Sequence, residues 1–325
     1  MTATTDPLDA AYLPTLKNVD FRPIFILGDH RSGTTLFYKM LAATGSFNFV
    51  DFYHVTRYDE LLYNHYHGRE SQARAQVEEE IEEAGLHDRG FDRIEVSPDL
   101  PEEYGYLLKE NPPFWYLPRV TPRTLPNMVE LCRKVQTVSP PGRPLLLKNP
   151  WDFPNFLYLK RVFPNARFLF IHRHPLAVHN SKLKAMRSAL SRKNRYTAWL
   201  ARGYDRLFRR PLQLLFARFL FFSRIGVNLL LRYAMVATDY FLENTPRLPD
   251  DHYISIRYED LCQRPDTVMA TVLDSLNLQP ARQVEYASMV SPRPLNLLPD
   301  VARKREQIQR RLEPYLTRLG YPPAP

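Results

Sequence analysis

The fold of this chain follows from the stretch PIFILGDHRSGTTL at residues 23–36. Residues 24–27 form a short apolar run that predicts a buried β-strand. After the strand comes a turn with a glycine at each end, Gly28 and Gly33, and then an apolar-periodic segment that predicts a helix. In such a turn the backbone N–H groups point outward, and the helix dipole adds partial positive charge. The stretch therefore predicts a binding site for a phosphate or a similar tetrahedral anion.

The spacing of the two glycines matches the nucleotide-triphosphate loop G-x-x-x-x-G-K-[ST], but Thr34 occupies the position of the lysine. A kinase or GTPase without that lysine lacks the charge that spans the β- and γ-phosphates. The nearest cation here is Arg31, inside the loop. The pattern favours an anion other than a triphosphate with magnesium, and a tight strand-to-helix turn without a ligand is the alternative.

Three further apolar runs, each followed by a predicted helix, indicate more strands. Apolar strands that alternate with helices predict an α/β fold with a parallel sheet covered on both faces. Ligands of such sheets bind beyond the carboxyl ends of the strands. The anion loop, Lys148 and Arg173 are all predicted at that edge, because each follows a strand. The three runs are residues 144–147, 167–171 and 253–258.

The length and composition predict a single domain over residues 1–325. Length alone would suggest about two domains, but α/β folds of this size are often single, and 44% hydrophobic residues allow a sizeable core. The net charge of +9 suits anionic ligands or an acidic membrane surface. Because the basic residues are spread along the chain and form no dense tract, no nucleic-acid partner is predicted.

The cysteines and the N-terminus predict a cytoplasmic location. Cys132 and Cys262 are the two cysteines, too few for a disulfide framework. Residues 1–16 carry acids and prolines without an apolar core, so they do not indicate a secretory signal. His65 and His67 superficially suggest metal ligands, but no third ligand follows at a recognisable spacing, and no metal is predicted.

Residues 195–245 predict a helical insertion or lid, with a long apolar stretch at 211–242. Arg218, Arg224 and Arg232 interrupt this stretch, so it does not reach the ~18–20 uncharged residues of a membrane span. Packing over the sheet is the first interpretation. The alternative is a lid with an apolar face that receives a lipid-like acceptor or lies on a membrane surface with its arginines at the headgroups.

Three motifs, RSGTTL at 31–36, LLLKNP at 145–150 and FLFIHRHPLAVHNS at 168–181, together resemble the sulfotransferases that use 3′-phosphoadenosine 5′-phosphosulfate (PAPS). The resemblance extends through IRYEDL, RPLNL and LTRLGY and is weak in residues 64–143 and 193–249. It is greatest to the tyrosylprotein-type and broad bacterial branch. It implies a P-loop-like α/β fold and in-line transfer of a sulfuryl group from PAPS to a hydroxyl or amine, with no metal required.

The resemblance also implies roles for single residues. Arg173 and Ser181 match the pair that binds the 3′-phosphate, and Tyr258 is expected near the nucleotide. Lys148, with Arg31, is expected to neutralise the charge that develops during transfer. A surface position without a role is the alternative for Lys148, Arg173 and Ser181. The residues expected to hold the 5′-phosphosulfate are Arg31, Ser32, Gly33, Thr34 and Thr35.

The acceptor also needs a base, which the matching branch carries about twenty residues past the loop. Residues 34–58 contain no glutamate, but Asp51 and His54 fall in this interval. An imidazole with a pKa near ~6.5 takes a hydroxyl proton more readily at neutral pH than an exposed aspartate, so His54 is preferred over Asp51. His30, which stands where the family commonly has proline, and Glu103 are further candidates, and each of these side chains could instead be structural.

The predicted function is therefore transfer of a sulfuryl group from PAPS to an unknown small-molecule or lipid-like acceptor, with peripheral membrane contact as an open alternative. Two other functions remain open on the sequence alone. One is a phosphotransferase related to nucleotide kinases, and the other is a nucleotide-binding module without catalysis.

Overall fold

The computed structural model describes residues 7–90, 94–110, 117–291 and 294–322. Within these residues the strands are β1 (Pro23–Leu27), β2 (Asn48–Phe49), β3 (Leu145–Lys148), β4 (Arg167–His172) and β5 (Tyr253–Arg257). The α-helices are α1 (Thr34–Ala43), α2 (Phe52–Thr56), α3 (Leu61–Tyr66), α4 (Glu70–Glu83), α5 (Leu125–Val138), α6 (Phe156–Val162), α7 (Pro175–Ser191), α8 (Arg195–Leu200), α9 (Arg202–Phe208), α10 (Pro211–Phe222), α11 (Arg224–Asn244), α12 (Tyr258–Gln263), α13 (Pro265–Ser275), α14 (Pro299–Ala302), α15 (Arg305–Arg311) and α16 (Glu313–Arg318). Short 3₁₀ helices lie at Leu8–Asn18, Tyr58–Glu60, Tyr104–Leu107, Pro150–Asn155, Thr245–Arg247, Asp250–His252 and Tyr286–Met289.

The strands form one parallel sheet in the order β2-β3-β1-β4-β5. The strand of the anion loop, β1, is central and pairs with β3 on one side and β4 on the other. Because all the pairings are parallel, the carboxyl ends of the strands lie along one edge, which we call the carboxyl edge. The predicted P-loop-like α/β fold is confirmed, and the loop after β1 lies between the ends of β3 and β4.

The sheet is covered on both faces, as the continuous apolar runs predict. Alternate residues of β1 point to opposite sides. Phe25 and Leu27 join a core formed with α5, α6 and the C-terminal part of α11. Ile24 and Ile26 join a second core that contains apolar residues of α1 and α13.

One predicted strand ends earlier in the structure than the run that predicts it. The run at 253–258 ends as a strand at Arg257, and Tyr258 instead begins α12, which turns its side chain toward the carboxyl edge. The segment around residues 47–54 contributes only Asn48 and Phe49 to the sheet. After these two residues the chain turns at Asp51 into α2, since the Asp51 side chain accepts the N–H of His54 and caps that helix.

The helices between residues 195 and 245 pack partly against the sheet core and partly against α7. Ala237 and Phe241 near the end of α11 join the sheet core, which agrees with the predicted packing over the sheet. The start of α11 packs instead on α7 through Val227 and Leu231. No single helix in the described ranges is long and apolar enough to cross a membrane, although α10 and the following helix pass the same criteria as a pair bent by 80°. The assignment of residues 1–325 to one domain stays a prediction.

Candidate active site

The loop after β1 has a backbone that only glycine permits at its two ends. At Gly33 the φ angle is +104°, and a Cβ there would lie 2.2 Å from the Tyr258 ring. At Gly28 a Cβ would lie 2.3 Å from the carbonyl oxygen of Ile171. The glycine spacing noted in the sequence therefore has a steric cause. It lets the loop pass between β4 and α12 with its amides directed to the carboxyl edge.

The loop carries a polar group that is suited to an anion. Ser32 is only 1% exposed, and within the described part of the chain its hydroxyl has no hydrogen-bond partner. A buried hydroxyl without a partner is costly, so its retention fits a ligand that accepts its hydrogen bond. Together with the N-terminus of α1, this hydroxyl fits the phosphosulfate end of PAPS.

The predicted 3′-phosphate pair lies against the loop. Arg31 donates from Nε to the hydroxyl of Ser181 at 3.1 Å. Arg173 donates from Nη1 to the carbonyl oxygen of Arg31 at 3.3 Å, and its guanidinium lies 4.3 Å from the centre of the Tyr258 ring. Arg31 after β1 and Arg173 after β4 thus form a cationic cluster with Ser181 of α7, and the ring of Tyr258 lies beside it. Such a cluster can bind a phosphate and a nucleoside together.

Lys148 joins the loop to another part of the chain. Its side chain is buried at the end of β3, and Nζ donates to the Thr35 hydroxyl at 3.2 Å. The same ammonium group pairs with the Glu103 carboxylate at 3.0 Å. A cation that is held between a loop hydroxyl and a carboxylate is positioned to neutralise charge at the loop and cannot be a free surface lysine.

A second buried ion pair supports the loop, and it was not predicted from the sequence. Asp29 in the loop accepts a hydrogen bond from Lys182 of α7 at 2.5 Å. Lys182 also lies over the ring of Tyr233 in α11. The available signal was that Lys182 directly follows Ser181 in the resembling motif, but nothing local assigns it a partner 153 residues away.

His30 also belongs to this site. Its ring lies 4.0 Å from that of Trp151, and its Nε2 is buried without a hydrogen-bond partner among the described residues. Burial, reinforced by the positive charges of Lys182, Lys148 and Arg31, lowers the pKa of His30 well below its usual value. The imidazole is therefore neutral at pH 7 and can accept a hydrogen bond, although the lowered pKa makes it a weaker base.

The two preferred base candidates, Asp51 and His54, bind each other. Asp51 Oδ1 accepts the backbone N–H of His54 at 2.8 Å, and His54 Nδ1 accepts the backbone N–H of Asp51 at 3.2 Å. Arg74 pairs with the other oxygen of Asp51 at 3.0 Å. Burial acts to raise the pKa of Asp51, but His54 and Arg74 outweigh it and leave that pKa below its usual value. These contacts make the pair the N-terminal cap of α2.

Glu102, beside Glu103, is a buried carboxylate that the sequence did not single out. It is 1% exposed and accepts a hydrogen bond from the hydroxyl of Tyr196 in α8. Burial raises its pKa to about 7, although the nearby charges of Arg89 and Lys148 act in the opposite direction. The backbone N–H of Glu102 donates to the carbonyl oxygen of Val50. This hydrogen bond holds the segment of residues 101–103 in place.

A cavity of about 520 Å³ opens beside the loop. Arg31 forms one of its walls, and the C-terminal half of α7 with α8 and α9 forms others. No group of three or more His, Cys, Asp or Glu in the described ranges is arranged to hold a metal ion. Apolar or aromatic side chains that line the cavity are Leu86, Ala185, Met186, Ala189, Tyr196 and Tyr204.

Comparisons with known proteins find solved structures of a similar fold. Among solved structures, the chain is similar to sulfotransferase STF9 from Mycobacterium avium, with a TM-score of 0.66, 16% identity and coverage of 96% of this chain and 81% of that one. It is also similar to sulfotransferase STF1 from Mycobacterium tuberculosis H37Rv, with a TM-score of 0.56, 15% identity and coverage of 93% and 79%. These similarities show the fold. No curated protein sequence matches the chain.

Membership of a family rests on the sequence itself. The sequence model of the sulfotransferase family matches residues 23–282, which include the anion loop, Lys148, Arg173 and Ser181. This match confirms the family that the motifs resemble. The chain therefore belongs to the sulfotransferase family and is an enzyme that transfers a sulfuryl group from PAPS to an acceptor.

Proposed function

We propose that PAPS binds along the carboxyl edge, with its phosphosulfate in the loop of residues 31–35 and its 3′-phosphate on Arg173 and Ser181. The observation that carries this proposal is the contact of Arg31 with both Ser181 and Arg173. One cluster can thereby hold both anionic ends of a single nucleotide. Tyr258, stacked on Arg173, provides an aromatic surface for the nucleoside.

Within this site the protein acts mainly by position and charge. When bound, PAPS supplies the sulfuryl group and leaves as 3′-phosphoadenosine 5′-phosphate. The hydroxyl of Ser32 and the amides of residues 33–35 bind the anion at the start of α1. Lys148 and Arg31 neutralise the negative charge that develops on the bridging oxygen. Electrostatic stabilisation of this kind accounts for about 10²–10³ in rate for each donor.

We propose Glu103 as the base that takes the proton of the acceptor. The support for this role is that its carboxylate contacts Lys148, which in turn contacts the loop where the sulfuryl group would be held. Its side chain is 15% exposed, whereas that of His54 is 4% exposed and already serves as a helix cap. The earlier assignment to His54 or Asp51 stays a prediction, and the neutral ring of His30 is a further candidate.

The acceptor that this site favours is a small, largely apolar alcohol. Arg31 links the loop to the 520 Å³ cavity, whose walls are partly aromatic and aliphatic. A cavity of that size holds a ring system or a short lipid-like chain, with its hydroxyl directed to the loop. A cytoplasmic location is proposed with it, because Cys132 and Cys262 are both free thiols.

Calorimetric titration of the purified enzyme tests the donor site. We expect 3′-phosphoadenosine 5′-phosphate to bind much more tightly than adenosine 5′-phosphate, and Arg173→Ala to lose about 10- to 100-fold of that preference. Arg161→Ala is the matched control, because Arg161 is exposed at the end of α6, which leads to the opposite edge of the sheet.

Two results would contradict the proposal. Equal affinity for the two nucleotides would show that the protein has no binding site for the 3′-phosphate. Tighter binding of ATP with magnesium would instead support the phosphotransferase related to nucleotide kinases.

A further inference from the structure

The outer face of α10 is apolar and exposed to solvent. Each of its members lies three or four residues from another member, so they lie on one side of the helix. The opposite side of α10 is also apolar, because Ala217 and Phe221 pack with Leu190 and Leu207. The exposed side chains, with their exposed fractions, are Leu212 (81%), Leu215 (65%), Phe216 (56%), Phe219 (61%) and Phe222 (49%).

The apolar surface continues onto the first turns of α11. Ile225 and Leu229 are 42% and 41% exposed, and they follow the 80° bend between the two helices. Ser223 holds the bend, since its hydroxyl accepts the backbone N–H of Ile225 at 3.2 Å. We call Leu212, Leu215, Phe216, Phe219, Phe222, Ile225 and Leu229 the apolar patch. A run of large exposed apolar side chains on neighbouring helices indicates an interaction surface.

The charged side chains at the two ends of α10 are arginines, and one of them, Arg209, is paired with Asp205 at 2.7 Å. Residues 206–238 contain six arginines and no aspartate, glutamate or lysine. Arg209 and Arg210 are exposed directly before α10, and Arg224 is exposed directly after it. Arg218 is different, because its guanidinium donates to the carbonyl oxygens of Leu190 and Ser191. The patch is therefore bordered at both ends of α10 by cationic side chains.

We propose that the apolar patch docks the enzyme on the surface of an anionic lipid bilayer. The patch would lie in the boundary between headgroups and acyl chains, with Arg210 and Arg224 at the anionic headgroups. The 12 residues of α10 are too few to span the hydrocarbon core, and the sharp bend turns α11 back to the protein. The helix therefore lies along the membrane surface.

The charges at the border of the patch favour a bilayer over a second copy of this chain as its partner. In a two-fold symmetric dimer the same surface meets itself, so Arg210 and Arg224 at the border would face other arginines. The nearby carboxylate of Asp205 is already paired with Lys193 and Arg209. An anionic bilayer instead supplies the complementary charge over the whole border. This inference is independent of the proposed donor site and of the base.

Co-sedimentation with vesicles tests this inference. We expect the full-length enzyme to sediment with vesicles of equal parts phosphatidylcholine and phosphatidylglycerol, to bind phosphatidylcholine vesicles weakly, and to lose binding as the salt concentration rises. Phe216→Ser combined with Phe219→Ser should reduce the bound fraction at least about tenfold. Arg210→Gln combined with Arg224→Gln should remove most of the preference for anionic vesicles.

The matched control is Leu8→Ser combined with Leu13→Ser, which removes two exposed apolar side chains from the N-terminal 3₁₀ helix and should leave vesicle binding unchanged. Thermal unfolding of every variant checks that the fold is retained, and the exposed positions make this the expected result. Equal binding to neutral and anionic vesicles, or no binding to either, would overturn the proposal. A dimer in solution that Phe216→Ser with Phe219→Ser converts to a monomer, without vesicle binding, would assign the patch to a second copy.

Discussion

The carboxyl edge and α10 depart from the usual distribution of side chains in opposite directions. At the carboxyl edge charged side chains are buried, and Lys148 is only 1% exposed. On α10 apolar side chains are exposed, and Leu212 reaches 81%. Both arrangements cost free energy in the isolated protein, because buried charges lose hydration and exposed apolar surface orders water. The comparison teaches that each region is complementary to something outside the chain, an anion in the first case and, we infer, a lipid surface in the second.

The two regions also differ in how the cost is reduced within the chain. Buried cations at the carboxyl edge have carboxylate partners, Lys148 with Glu103 and Lys182 with Asp29. Removing one member of such a pair leaves an uncompensated buried charge, which is strongly destabilising. The apolar patch has no comparable internal partner among the described residues, so changes there should affect association more than folding.

The largest expected effect is on catalysis at the buried charges. Glu103→Gln keeps the size of the side chain but removes its basicity and its charge, so we expect kcat to fall by about 10²–10⁴ and the folded state to lose stability because Lys148 is left unpaired. The affinity of the folded variant for 3′-phosphoadenosine 5′-phosphate should stay nearly constant. The measurement is sulfation of a surrogate alcohol at saturating PAPS. Glu79→Gln, at an exposed position of α4, is the matched control and should retain full activity.

His54→Asn provides the opposing test of the base. This change removes the ring that accepts the N–H of Asp51, so it should lower stability with a smaller effect on kcat. A loss of rate in His54→Asn with an unchanged rate in Glu103→Gln would return the role of base to His54. It would also mean that the Glu103–Lys148 pair only supports the loop.

An intermediate effect is expected from the pH dependence of stability at Glu102. Its pKa is raised in the folded state to about 7, so its favourable contribution is complete below its unfolded pKa and is lost as pH rises through about 7. Because glutamine does not ionise, the Glu102→Gln variant does not lose stability in this way as the pH rises. Relative to the native chain, the free energy of unfolding of the variant should therefore rise between about pH 5 and about pH 8, by up to about 3 kcal/mol.

Urea unfolding at the two pH values measures this difference. Glu79→Gln should show the same offset from the native chain at both pH values, since that side chain is exposed. A difference for Glu102→Gln that does not change with pH would show that Glu102 is ionised with an ordinary pKa. The neighbouring positive charges would then offset the cost of burying the Glu102 carboxylate.

The smallest effect is expected for folding stability at the apolar patch. Phe219→Ala should change the free energy of unfolding by no more than about 0.5 kcal/mol, because the side chain is 61% exposed. Phe153→Ala, which removes a 1% exposed ring from the sheet core, should cost about 3–5 kcal/mol. Chemical denaturation compares the two. A similar loss in both variants would show that Phe219 is covered in solution, and the contrast between the two regions would fail.

Much of the donor site could be predicted from the sequence because its residues follow strands. The glycines around the loop, Lys148 after β3 and Arg173 after β4 are each marked by a local pattern. Parallel pairing then brings the ends of those strands to one edge, whatever the rest of the chain does. The role of Arg173 and Ser181 as a pair that binds the 3′-phosphate stays a prediction, and in the structure each of them contacts Arg31.

The base could not be identified in this way. Asp51 and His54 lie at the distance from the loop that the family implies for the base. Both side chains, however, take part in the N-terminal cap of α2. Glu103 reaches Lys148 only because the chain after α4 returns to the carboxyl edge and pairs at Asp51 with Pro101. The return of the chain to this edge depends on long-range packing. The sequence around Glu103 contains no local pattern that predicts it.

The sequence alone determined the sheet, the anion loop and the family, because these depend on hydrophobic period, glycine spacing and motifs within short stretches. Tertiary structure alone decided the partners of Lys182 and Glu103 and the exposure of α10. Helix α10 is apolar on all sides, so its periodicity cannot tell which side packs against α7 and which faces water. That choice is made by the shape of the neighbouring helices, which no local pattern records.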